Sequence, residues 1–246
     1  MGTARLLLNA PIREALIDIQ FVSAGAPDVA AIAVDCVALY GGASSEIWES
    51  LVQFNVEPGQ AAQAKAFPVT AIGKRIDIAD RNQVLQLRPN GFTFSRLPRY
   101  QHWEEMSRAG LDAWRNYAGR AGASRVVRVA LRYINALDLP LPVENFSDYL
   151  EAPPPVPNGI PQDIGNFLTR LVVPKGADLA TITQISQGTN SENDALRVTV
   201  DIEIVTTCDL HGEDIEGLAE ILERQRIYKN EIFFAHLTDK TLEMYE

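Results

Sequence analysis

The sequence predicts an α+β protein: a large antiparallel sheet with long helices packed on one of its faces. Short segments alternate apolar and polar residues, the period of a half-buried strand. Turn chemistry, not crossover helices, separates most of them. Two long amphipathic stretches each follow a run of three strands, as helices that return across a sheet would.

Ala15–Val22 alternates and reads as the first strand. Pro27 opens a helix through Tyr40, with Val29, Ile32, Ala33 and Val37 at helical spacing, and Gly41-Gly42 ends it. Glu46–Leu51 is ambiguous. Val69–Ala79 is a strand, and Asp80-Arg-Asn82 a turn. Gln83–Arg88 and Phe92–Leu97 are strands joined by Pro89-Asn90-Gly91. Tyr100–Tyr117 carries Trp103, Met106, Leu111 and Trp114 along one side, an amphipathic helix ending near Gly119 and Gly122.

The pattern then begins again. Val126–Leu139 is a long strand and Glu144–Leu150 a short helix. Pro153-Pro-Pro-Val-Pro157 is a stiff connector, because proline fixes its backbone angle. Phe167–Val173, Leu179–Gln187 and Leu196–Thr207 are three more strands, with a turn at Asn190–Asp194. A helix spans Glu213–Phe234, and a short one follows Thr238. Residues 1–246 thus read as one structural unit made of two β-α-β-β-β-α halves, 1–123 and 124–246, an internal duplication judged from element order alone.

Composition sets outer bounds. The chain has 246 residues, 46% hydrophobic and 22% charged, which is ordinary globular usage. Its net charge of −10 lies entirely in the second half: residues 1–123 hold 12 basic and 12 acidic residues, and 124–246 hold 10 and 20. So acidic a chain repels a phosphate backbone, which argues against nucleic acid as a partner. No apolar run approaches the ~18 residues of a membrane span. The three leucines at 6–8 are too short for a signal-peptide core, and Cys36 and Cys208 are too few for a disulfide framework. The reading is a cytoplasmic protein with reduced thiols.

Several blocks carry a family resemblance: Asn9-Ala-Pro-Ile-Arg-Glu14, Gly91-Phe-Thr-Phe-Ser-Arg-Leu97 followed by Tyr100 and Trp103-Glu104, Leu131-Arg-Tyr-Ile-Asn135 after Arg128, Phe233-Phe234 and Leu237-Thr-Asp-Lys-Thr241. Together they resemble a sporadically distributed prokaryotic family of uncharacterised proteins of about this size. The resemblance covers nearly the full length, and the Arg-Tyr-Ile-Asn block is its most specific part. It implies a single full-length unit. A patchy distribution suggests accessory genes, such as defence or toxin–antitoxin functions.

No phosphate-binding loop, nucleophile elbow or zinc spacing occurs, and no motif calls for a cofactor or names a catalytic residue. Cys208-x-x-His211 is half a metal site at best. Of three histidines, His102 opens the aromatic helix and His236 sits near a helix end where its charge suits the dipole. The strands offer more. Val200, Ile202 and Ile204 oppose Thr199, Asp201 and Glu203; Val127, Val129, Leu131, Tyr133 and Asn135 oppose Arg128, Ala130 and Arg132; Asp18, Gln20 and Asp77 likewise oppose apolar neighbours. In one sheet these polar sides merge into a surface bearing Asp18, Asp77, Arg128, Arg132, Asp201 and Glu203. It is either a solvated face of cross-strand ion pairs or a grip for a small anionic ligand, with the arginines on the anion and Asp201 or Glu203 as base or metal ligand. The aromatic helix reads as core packing, and Glu216, Glu220 and Glu223 as a solvated acidic face open to a protein partner.

These readings lead to a non-enzymatic binding or regulatory protein, acting on a protein partner or by self-association. The rival is an enzyme or sensor that holds a phosphorylated small molecule through Arg128 and Arg132.

Overall fold

In the computed structural model the chain is α+β, and one sheet dominates it. The structure describes residues 7–49, 52–55, 63–66, 68–98, 100, 102–157, 159, 164–187 and 195–246, with backbone alone for 52–55 and 63–66. The strands are β1 (Ile12–Ser23), β2 (Ala43–Glu49), β3 (Val52–Asn55), β4 (Gln63–Ala66), β5 (Thr70–Ile78), β6 (Gln83–Arg88), β7 (Gly91–Arg96), β8 (Ala123–Pro140), β9 (Leu168–Lys175), β10 (Leu179–Gln187) and β11 (Ala195–His211). The helices are α1 (Val29–Tyr40), α2 (Trp103–Ala121), α3 (Ile215–His236) and α4 (Asp239–Glu243).

Nine strands form one antiparallel sheet in the order β2-β5-β6-β7-β1-β8-β11-β10-β9, and β3 and β4 pair separately. Outward from the central β1–β8 pair, one side runs β7, β6, β5 and the other β11, β10, β9. Beyond that shared order the halves differ. The first adds β2 and the β3–β4 pair, and among the described residues the second has no counterpart of α1. The predicted helix at Glu144–Leu150 is a single 3₁₀ turn at Phe146–Asp148. Asn145 Oδ1 accepts both the N–H and the hydroxyl of Ser147, and Leu150 leaves to bridge Leu237. Asn and Ser side chains that capture the local backbone compete with helix propagation. The ambiguous stretch from Glu46 is strand β2 as far as Glu49. It is a sheet edge with Trp48 exposed, which explains its lack of clean alternation. The predicted turn at Asn190–Asp194 lies outside the described residues.

The helices pack on the side where alternation places Ile17, Ile19 and Phe21 of β1, Phe92 and Phe94 of β7, and Leu131 of β8. Trp114 of α2 is fully buried against Phe21 and Phe92, edge-on at 5.4 and 5.7 Å, and its Nε1 donates to Gly212 O at 3.1 Å. Gly110 lets α2 lie close to the sheet, since a Cβ there would sit 2.7 Å from Ile17 Cδ1. Gly122 at φ +61 ends the helix, three residues beyond the first expected stop at Gly119. At the far end α3, Phe146, Leu150, Leu237 and Leu242 cover β10 and β11. No described helix is long and apolar enough to cross a membrane. Cys36 and Cys208 are free thiols.

Candidate functional site

The polar side of the sheet assembles much as the alternation predicts. Asp18 on β1, Arg128 and Arg132 on β8, and Asp201 and Glu203 on β11 share one face across three adjacent strands. Val127 departs from the predicted alternation. Gln20 pairs with Arg128 and Phe21 with Val126, so Val127 is the extra residue of a bulge, and Val126 takes the buried position.

The charges on this face satisfy one another. Arg128 Nη1 donates to Asp18 Oδ1 at 2.9 Å and Nη2 to Glu203 Oε1 at 2.5 Å. Arg132 forms a fork on Asp201, Nε to Oδ1 at 2.8 Å and Nη2 to Oδ2 at 2.5 Å. That carboxylate raises the Arg132 pKa further. Two residues absent from the sequence reading complete the network: Arg88 Nη2 and Thr93 Oγ1 both donate to Asp18 Oδ2, at 2.6 and 2.8 Å. Each follows the alternation, Arg88 opposing Leu87 and Thr93 opposing Phe92 and Phe94. Three arginines thus balance three carboxylates. Asp77 stands apart on β5, where Arg75 of the same strand binds both its oxygens and lowers its pKa. Both arginines expected to hold an anion are therefore committed to carboxylates. Among the described residues no group of three His, Cys, Asp or Glu side chains could hold a metal ion. Cys208 Sγ instead contacts Val126 O at 3.7 Å, and His211 Nδ1 accepts the Glu213 N–H at 3.3 Å.

A second constellation lies on the helix side. A cleft of about 560 Å³ opens between the segment before β1, the start of α2, the middle of β8 and the second half of α3. Leu7, Leu8, Ile12, Trp103, Phe233 and Phe234 supply its apolar wall. Tyr100, His102, Tyr133, Asn135, Arg226, Lys229 and Asn230 supply polar groups. The volume suits a small organic molecule.

Lys229 is the unusual member. It is only 9% exposed, and its Nζ stands 4.0 Å over the centre of the Tyr133 ring. Lys74 reaches Glu46, Lys175 reaches Glu231 at 3.8 Å and Lys240 reaches Asp148 at 3.1 Å. No carboxylate among the described residues pairs with Lys229. Burial, helped by the positive charge of Arg226, lowers its pKa to about 7. The hydroxyls of Tyr100 and Tyr133 lie 2.9 Å apart, and burial holds the Tyr133 phenol well above its ordinary value. Asn135 Nδ2 donates to Val200 O at 3.0 Å, which anchors that side chain on β8.

Glu223 takes a different place from the free acidic face expected of it. It accepts Trp103 Nε1 at 2.8 Å and the Arg226 Nε and Nη2, and the Arg226 guanidinium lowers its pKa. Glu216 and Glu220 are exposed, as expected. The aromatic helix divides: Trp114 and Tyr117 are core, while Tyr100, just ahead of it, and Trp103 line the cleft.

Sequence reasoning missed Lys229, although a signal for it existed. Leu218, Leu222, Gln225, Lys229 and Phe233 are all buried on one stripe of α3, so a glutamine and a lysine occupy apolar-stripe positions. Gln225 Nε2 donates to Val129 O and Thr206 Oγ1, both at 2.9 Å, and so fixes α3 against β8 and β11. Among the described residues Lys229 has no such bond. Removing the Tyr100 hydroxyl tests the rigidity of this wall. Tyr100→Phe leaves the Tyr133 hydroxyl without its strong partner and is expected to cost about 1–2 kcal/mol by urea unfolding.

Comparison with protein-family models, curated proteins and solved structures finds no match.

Proposed function

We propose that the protein is a binding protein for a small organic acid with an apolar or aromatic body, held in the cleft beside Lys229. The observation that carries this reading is a lysine nine-tenths buried on an open cleft with no carboxylate beside it among the described residues. A buried ammonium without a counterion is costly, and an incoming acid group supplies the missing charge. The apolar wall matches a hydrophobic body. The reading keeps the small anionic ligand anticipated from the sequence but moves it from Arg128 and Arg132, which already hold carboxylates, to the helix side. A regulatory role in an accessory defence or toxin–antitoxin system is what the family resemblance implies, and ligand-dependent binding suits it.

Melting the chain with a panel of monocarboxylates, 3-phenylpropionate and octanoate among them, tests the reading. A ligand at a hundred times its Kd is expected to stabilise the fold by about 2.7 kcal/mol. No shift with any member of the panel would overturn it.

A specific observation also favours self-association. β9 is a sheet edge, and its Leu168, Leu171, Val172 and Val173 are exposed. A bare apolar edge is a template for pairing with a second strand. We propose that a second copy pairs there, β9 to β9. Val172→Lys is expected to shift sedimentation towards monomer, and an unchanged profile would refute the contact.

A further inference from the structure

This inference rests on the cleft being a ligand site and names the chemistry by which it holds its ligand. We propose that Lys229 condenses reversibly with the carbonyl carbon of an oxo acid bound in the cleft, so that the ligand is held as an imine.

Four features support a covalent contact. The chain has only five lysines against 17 arginines, and Lys229 sits inside a cleft with no carboxylate beside it among the described residues. With a pKa near 7 a large fraction of its amine is neutral at ordinary pH, which makes it a nucleophile. The Tyr133 ring at 4.0 Å offers a π face to the iminium cation that condensation creates. Arg226 uses Nε and Nη2 on Glu223, and its Nη1 has no bond among the described residues, so a donor remains for the ligand's acid group.

The step balances without an oxidant or reductant. The Lys229 nitrogen lone pair attacks the carbonyl carbon, a C–N bond forms, and a proton passes from nitrogen to oxygen to give a carbinolamine. The C–O bond then breaks, and the oxygen leaves as water with one proton taken from solvent. The product is the protonated imine, and hydrolysis reverses every stage. Trp103, Phe233 and Phe234 line the same cleft and set apolar surface around the reacting groups.

The test uses the full chain, phenylpyruvate and sodium cyanoborohydride, which reduces an imine to a stable secondary amine. The expected result is a mass gain equal to the probe less one oxygen atom, located by peptide mapping on Lys229. 3-Phenylpropionate, the same acid without the carbonyl, should suppress it. Lys229→Arg keeps a cation but no condensable amine, and should bind 3-phenylpropionate without forming the adduct. If 3-phenylpropionate binds but phenylpyruvate labels Lys229 no faster than the other lysines, the imine is refuted and the cleft reading stands. If neither acid binds or labels the chain, both are refuted.

Discussion

Replacing Lys229 by methionine is expected to stabilise the chain by about 3–5 kcal/mol at pH 6, the reverse of what loss of a buried side chain normally does. The physical basis is proton linkage. Burial lowers the amine from 10.5 to about 7, and each pKa unit corresponds to about 1.36 kcal/mol. Below pH 7 the lysine is charged in both states, so the folded chain carries the full cost of a buried ammonium. Above about pH 10.5 it is neutral in both, and the cost is gone. Between these values the unfolded chain binds a proton that the folded chain has released, so wild-type stability climbs with pH. Among the described residues, the charged and titratable groups that share the cleft with Lys229 are Arg226 on its own helix, Tyr133 from β8, and Tyr100 and His102 at the entry to α2. None is a carboxylate that would offset the cost. Methionine keeps the stem's apolar contacts and removes the charge, so the gap between variant and wild type should shrink from pH 7 to pH 10. Urea unfolding of both at pH 6, 8 and 10 reads this directly. A variant less stable than wild type at every pH would show that Lys229 has a partner and is structural.

Arg128→Met is expected to destabilise the chain by about 2–3 kcal/mol. Arg128 joins Asp18 to Glu203, and the three side chains are only 23%, 15% and 21% exposed. Asp18 would keep Arg88 and Thr93. Glu203 would lose its ion pair and keep only the longer-range charge of Arg132, opposite it on β8. Breaking a fully buried pair costs about 3–5 kcal/mol, and partial exposure reduces this towards the smaller values of surface pairs. A urea midpoint that does not move would show that Arg128 is dispensable to the fold. Loss of a phosphate-dependent stabilisation in the same variant would then return the anion site to the sheet face.

What the sequence made legible follows the range of the forces involved. β6 and β10 read with both ends correct, because alternation and flanking turn residues are local. Glu144–Leu150 misread because helical periodicity there yields to side chains that bond their own backbone. Val127 misread because a bulge is set by the partner strand, and period-2 counting has no knowledge of the partner. The charged face was visible residue by residue. Its meaning was not, since which arginine meets which carboxylate depends on strand order and register. Arg132 lies directly opposite Glu203 and yet turns diagonally to Asp201, and Arg128 takes Glu203 instead. The cleft was harder. Its parts come from the chain's beginning, middle and end, and only the misplaced polarity of Gln225 and Lys229 on the α3 stripe marks it in sequence.

On the reading proposed above, Lys229 awaits an acid. Isothermal titration of wild-type chain and Lys229→Met with 3-phenylpropionate at pH 6.5 and pH 9 tests it most directly. An anion that meets a lysine of pKa about 7 must draw a proton onto it at high pH, so binding should weaken at least about tenfold between the two values. It should be lost in the methionine variant. Equal affinity at both pH values, or undiminished binding to Lys229→Met, would contradict the claim.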